Sequence, residues 1–166
     1  MKKYISIQWV WFLPLILFLT GCPYSADVPL DEATEKVNND YMGKWVKKSS
    51  LSEDNPKYYM VSKKDATHYV FEEYNYSSND KKYNKDMYVG HTTTIGNVVF
   101  LNLEKDGKYY FYKIVLTSDK KNFTLFEVTD NIDEKFLKSS ELKAFFDKYK
   151  DLSFFYNKDE EKYEKQ

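Results

Sequence analysis

Residues 98–117 read VVFLNLEKDGKYYFYKIVLT, two apolar runs on either side of Asp106-Gly107. Asp-Gly suits a two-residue type I′ turn, because both central residues take positive φ and Gly does so without a Cβ penalty. The stretch predicts a β-hairpin joining Val98–Leu103 to Tyr109–Thr117. On the second arm Tyr110, Tyr112, Ile114 and Leu116 alternate with Tyr109, Phe111, Lys113 and Val115, and the first set is the expected core face. Both sets are partly apolar, as expected of a strand covered on its other side by a helix.

Upstream, runs rich in Tyr, Phe, Val, Ile and Thr recur between polar clusters, which is the pattern of short strands and turns. The expected strands are Met42–Lys48, Lys57–Lys63, Thr67–Asn75, Met87–Thr94 and Asn97–Glu104. Downstream, Ser118–Lys121 turns the chain into Asn122–Thr129. The period then changes. Leu142, Phe145, Phe146 and Tyr149 fall at i, i+3, i+4 and i+7, which predicts an amphipathic helix over Ser140 to about Lys150, with Ser139 or Ser140 as its cap. Leu152–Tyr156 returns to a strand pattern, and Glu161–Lys165 is expected to pair back on it. The fold class that follows is mainly β: an antiparallel meander closing into a small barrel or curved sheet, with one C-terminal helix. A two-sheet sandwich is the alternative.

The chain has 166 residues, 25 basic and 26 acidic, with a net charge of −1. Every basic residue is Lys, so bidentate guanidinium recognition of phosphate is absent, and the missing basic excess argues against nucleic acid as a partner. One Cys and two His exclude an internal disulfide and a zinc site of ordinary ligand count. The mean hydropathy of −0.69 does not signal disorder, because 15 Tyr, 10 Phe and Trp45 follow residue 21, and each aromatic ring can bury roughly 150–250 Å².

Lys2 and Lys3 precede an uncharged apolar stretch from Ile5 to Leu19, which ends in Leu19-Thr20-Gly21-Cys22. A positive start, a short apolar region and small residues before a cut describe a secretory signal. A spanning helix needs about 20 apolar residues, and Gln8 and Pro14 interrupt this shorter stretch. Leu19-Thr20-Gly21-Cys22 resembles the lipobox of bacterial lipoproteins. That resemblance implies removal of residues 1–21, a diacylglycerol on Cys22, and attachment to a bacterial membrane through acyl chains. Two or three chains exceed the one-chain threshold for stable anchoring. Pro23 in place of Asp after the cysteine implies the outer membrane. The expected organisation is a signal peptide over 1–21, lipidated Cys22 with a flexible tether over 22–39, and one β-rich domain over 40–166. Asp31 to Val37 is expected to form at most one helical turn within the tether.

Gly43-Lys44-Trp45 opens the first expected strand of that domain. A Gly-x-Trp at the start of an antiparallel meander, with a helix before the last strand, resembles the lipocalins. The resemblance implies a β-barrel that holds a small apolar or amphipathic ligand, expected here against Trp45, Tyr59, Tyr69, Tyr110 and Tyr112. The lipocalin Arg that packs over this tryptophan has no counterpart in an Arg-free chain. The other expectation is a protein-interaction module, an inhibitor or accessory subunit of an envelope complex, with a solid barrel. No catalytic residues, metal or cofactor are expected. His68 and His91 fall on separate strands as structural or surface histidines, and neither Asp130–Glu134 nor Asp159–Glu161 has the spaced ligands of a calcium loop.

Overall fold

Asp106 and Gly107 take φ of 54° and 77°, and Lys105 faces Lys108 across them, so the hairpin that the sequence predicts is formed by a two-residue turn of the expected hand. A computed structural model describes residues 23–129 and 132–166. The strands are β1 (Ser25–Ala26), β2 (Gly43–Lys47), β3 (Tyr58–Lys63), β4 (Tyr69–Ser77), β5 (Lys82–Ile95), β6 (Val98–Lys105), β7 (Lys108–Leu116), β8 (Asn122–Glu127) and β9 (Glu161–Lys165). The α-helix α1 covers Ser139–Tyr149.

Strands β2 to β9 pair each with the next, all antiparallel, and β9 pairs back on β2, closing an eight-stranded barrel. The closure sets Trp45 opposite Lys165 and Phe123 opposite Tyr163. The short β1 adds to the wall by pairing with Tyr109 and Tyr110 of β7, beside the part of β7 that pairs with β8. The barrel is thus a mainly β fold with one C-terminal helix, and the sandwich alternative does not apply.

Two apolar clusters follow from the alternation along the strands. The barrel interior contains Trp45, Tyr59, Val61, Tyr69, Phe71, Leu101, Leu103, Ile114, Phe123, Leu125 and Tyr163, capped by Tyr41. Outside the wall, Phe100 and Phe111 each meet Phe146 of α1 at a ring separation of 5.2 Å. Phe111 faces the helix while Ile114 faces the interior, so β7 is buried on both sides, as its sequence predicts.

Several boundaries differ from the sequence reading. Strand β5 begins at Lys82, because Lys81 adopts a positive φ of 51° and turns the chain tightly enough to continue the ladder with β4. Helix α1 begins at Ser139 with Lys138 in the cap position, and neither serine caps it: the Lys138 carbonyl accepts from the N–H groups of Glu141 and Leu142. Residues 153–155 form a 3₁₀ turn, not a strand, and Phe155 is buried beneath α1. Strand β9 consequently pairs with β2 and β8 instead of with that segment.

The expected tether over 22–39 also differs. Cys22 lies outside the described residues, but 23–38 run over the barrel's outer wall as a strap, without the helical turn expected at Asp31–Val37. Leu30 is 0% exposed, and its N–H donates to Asn102 Oδ1 at 2.9 Å. Asn102 is itself fully buried, and its Nδ2 donates to Thr93 Oγ1 at 3.0 Å. The Asp31 carbonyl accepts from His91 Nε2 at 2.9 Å, the Asp31 carboxylate pairs with Lys143 of α1, and the Val37 N–H donates to the Ala66 carbonyl. The prolines and the small and acidic residues of this stretch hide the packing, since its apolar anchors Tyr24, Ala26 and Leu30 are too irregularly spaced to register as an element.

Candidate functional site

Gly43 enters β2 at a φ of 119°, where an L side chain would be strained, and this turn delivers Trp45 into the barrel. Trp45 Nε1 donates to the Tyr41 carbonyl at 2.7 Å. Lys165 Nζ, from the last strand, lies 5.2 Å over the indole ring in a cation–π contact. Trp45 meets Phe123 at 4.5 Å, Phe123 meets Tyr163 at 5.0 Å, Tyr163 meets Tyr59 at 5.1 Å, and Tyr59 meets Phe71 at 6.1 Å. A chain of rings thus runs through the interior.

All five aromatic residues expected to line a ligand site belong to this interior. Trp45, Tyr59 and Tyr69 are buried, while Tyr110 and Tyr112 are partly buried at its edge. Tyr69 caps the end near Tyr41 and accepts from the Asn38 N–H. Tyr59 and Tyr112 lie toward the opposite end, where the interior changes character.

At that end the inward face of several strands carries a charge. Lys47 Nζ lies 2.5 Å from Glu161 Oε1, Lys57 Nζ 2.5 Å from Glu73 Oε1, and Lys105 Nζ 2.5 Å from Asp86 Oδ1. Tyrosine hydroxyls link these pairs. Tyr59 donates to Glu73 at 3.1 Å, Tyr163 to Glu161 at 2.7 Å, and Tyr112 to Glu127 at 3.3 Å. Asn157 Nδ2 completes the Glu127 site at 2.6 Å. Lys105 also lies 5.3 Å over the Tyr88 ring.

The electrostatics agree with a partly dehydrated mouth. Burial pushes the phenols of Tyr59, Tyr112 and Tyr163 well above their usual value, and nearby Glu and Tyr groups add to the shift. For Glu161 burial acts in the opposite direction to its neighbours, but the Lys47 hydrogen bond and the Lys57 charge outweigh it and hold the carboxyl below its usual value. Each removal of a charge from water costs several kcal/mol after relaxation, a cost that a purely apolar lining would avoid. The result is a rigid, amphipathic surface: aromatic faces inside, fixed charges and phenols at the rim.

The sequence reading found the aromatic members and missed the charged ones. The signal was present in the period of two. Glu73 follows Tyr69 and Phe71 at i+4 and i+2, and Glu127 follows Phe123 and Leu125 in the same way.

The two histidines, expected apart, come together with rings 5.8 Å apart. His68 Nδ1 is 3.0 Å from Asp65, and His91 is engaged by the strap. Burial lowers the His91 pKa from its usual value, so the ring is neutral and donates through Nε2.

Fold and site together define an eight-stranded antiparallel β-barrel with an aromatic interior, a charged mouth and an ordered N-terminal strap. No protein-family model, no curated protein and no solved structure matches the chain.

Proposed function

We propose that this is a lipid-anchored protein of the bacterial cell envelope, attached through acyl chains on Cys22, that binds a small amphipathic ligand at the charged mouth of its barrel. It acts as a binder and not as an enzyme. The observation that carries the reading is the ring of Lys47, Lys57, Glu73, Glu127 and Glu161 with Tyr59, Tyr112 and Tyr163. Half-buried charges paired at a barrel mouth, with Glu73 buried among them, do little for folding and serve recognition, because a polar headgroup can exchange hydrogen bonds with a surface already arranged for it. The aromatic rings beneath supply the apolar contact. Trp45, Tyr59, Tyr69, Tyr110 and Tyr112 then form the floor and wall of the site, and the charged residues form its rim. The carboxylates Glu73 and Glu161 each hold a lysine and a phenol, which suits a fixed polar lining better than a base kept free for proton transfer.

The lipobox Leu19-Thr20-Gly21-Cys22 supports the anchor, and Pro23 favours the outer membrane. Intact-mass analysis of membrane-extracted protein tests this. A chain beginning at Cys22 with added diacylglycerol is expected, and a free Cys22 thiol or retained Met1 contradicts it. Organic extraction of the same preparation tests the ligand, with a stoichiometric amphipathic small molecule as the expected yield.

One observation favours a second reading. The chain of rings from Trp45 to Phe71 fills much of the interior, which suits a solid barrel acting as a protein-interaction module of an envelope complex. An extract without small molecules, together with a stoichiometric co-purifying protein, favours that reading.

A further inference from the structure

Beside the barrel, α1 and the 3₁₀ turn at Ser153–Phe155 enclose an open cleft of about 310 Å³. Ile132, Phe145, Tyr149, Phe154 and Phe155 make it largely apolar. Its surroundings expose more apolar surface than a barrel wall needs: Phe154 is 66% exposed and Leu137 81%, the two highest values among the exposed large hydrophobic residues described. Lysines border it. Lys148 Nζ lies 4.8 Å over the Tyr149 ring, and Lys135 and Lys138 flank Leu137 in sequence and are exposed.

The start of the described chain lies beside this cleft. Pro23 forms an antiparallel bridge with Thr129, and Thr129 lines the cleft. The next hydrogen bond, from the Tyr24 N–H to the Val128 carbonyl, fixes the same register. Cys22 is one residue earlier, and consecutive Cα atoms are about 3.8 Å apart. The strap holds Pro23 to the barrel wall, so an anchor attached one residue upstream would keep this face of the domain close to the bilayer.

We infer that the cleft face is the protein's membrane-contacting surface, with Phe154 and Leu137 entering the acyl–headgroup boundary beside the lipidated Cys22 and Lys135, Lys138 and Lys148 meeting anionic headgroups. The inference rests on the anchor reading given above. Exposed aromatic and aliphatic side chains rimmed by lysine are the chemistry of an interfacial membrane contact. Through β8 this face also adjoins the ligand site: Phe155 lines the cleft, and Asn157, two residues on, holds Glu127 at the barrel mouth.

The test uses full-length mature protein, its Cys22 modification verified by intact mass, in vesicles of phosphatidylethanolamine and phosphatidylglycerol containing a brominated phosphatidylcholine. Single variants Phe154→Trp, Leu137→Trp and Met87→Trp report depth by bromine quenching, after subtraction of the signal from buried Trp45. Met87 is exposed on β5 and serves as the distant control. Strong quenching at positions 154 and 137, several-fold above that at 87, is the expected result. Equal and weak quenching at all three positions, in protein whose acyl chains keep it on the vesicles, overturns the membrane-contact inference and leaves the anchor standing. An unmodified Cys22 by mass overturns the anchor and the inference together.

Discussion

Lys57 Nζ stands 2.5 Å from Glu73 Oε1, inside a barrel where Glu73 is only 8% exposed, and the Tyr59 hydroxyl donates to the same oxygen. The Lys57 ammonium and the Tyr59 phenol, side by side at the start of β3, thus balance a β4 carboxylate that the aromatic interior would otherwise reject.

Truncating the lysine should therefore cost more than a surface ion pair would. Lys57→Met leaves Glu73 with only the phenol, and the expected loss is about 3 kcal/mol, at the low end for a buried pair because the lysine keeps some water. Replacing both partners, Lys57→Met with Glu73→Met, should recover most of that loss. Urea unfolding of the three proteins measures it, and additive losses in the double variant would show that the pair is not coupled.

A buried amide anchors the middle of the strap. Asn102→Leu removes the acceptor of the Leu30 N–H and the donor to Thr93, stranding polar groups where no water reaches. Each stranded group costs about 1–3 kcal/mol. Thermal unfolding should show a clear loss, and limited proteolysis should cut the strap ahead of the barrel. Leu30→Ala, which empties a fully buried site, should lose about 2–5 kcal/mol by the separate route of a cavity.

Much of this architecture was legible and some was not, for identifiable reasons. Asp106-Gly107 encodes its own turn locally, and the alternation around Tyr110–Leu116 assigns faces to β7 without tertiary information. The charged mouth is different. Glu127 sits at the last inward pleat of β8, and Glu73 on the inward face of β4 two pleats short of its end, where a charge ordinarily marks a solvated position. Only closure by β9, which sets Glu161 beside Lys47, turns those positions inward, and pairing across the whole chain leaves no local trace. The strap was missed because its apolar anchors follow the barrel's outer contour and not a helical or strand period. The cleft was missed because Leu152–Tyr156 has the composition of a strand but forms a 3₁₀ turn under α1.

Acid should loosen the strap before the barrel. Burial lowers the His91 pKa in the fold, with His68 adding to the shift while Asp31 and Glu35 oppose it. The unfolded chain takes up a proton near the ordinary value of about 6.5 and the folded ring does not. The unfolded state then binds more protons, so stability is full above about pH 6.5 and declines as pH falls below it. The Asp31 carboxyl is held below its usual value chiefly by Lys143, so a second loss with the same sign follows in the carboxylate range. Amide protection of Leu30 should fall between pH 7.5 and 5.5, and His91→Gln, which keeps a donor to the Asp31 carbonyl, should abolish that dependence.

The proposed function requires that the charged mouth, above the aromatic interior, holds an amphipathic ligand. Native mass spectrometry of the protein purified from its own host, beside Lys57→Met and the Lys57→Met/Glu73→Met pair, tests it most directly. A small-molecule adduct is expected on the wild type and lost in both variants, while circular dichroism still reports a folded β protein for the double variant. An adduct of equal occupancy in all three, or a wild type that carries none, would contradict it.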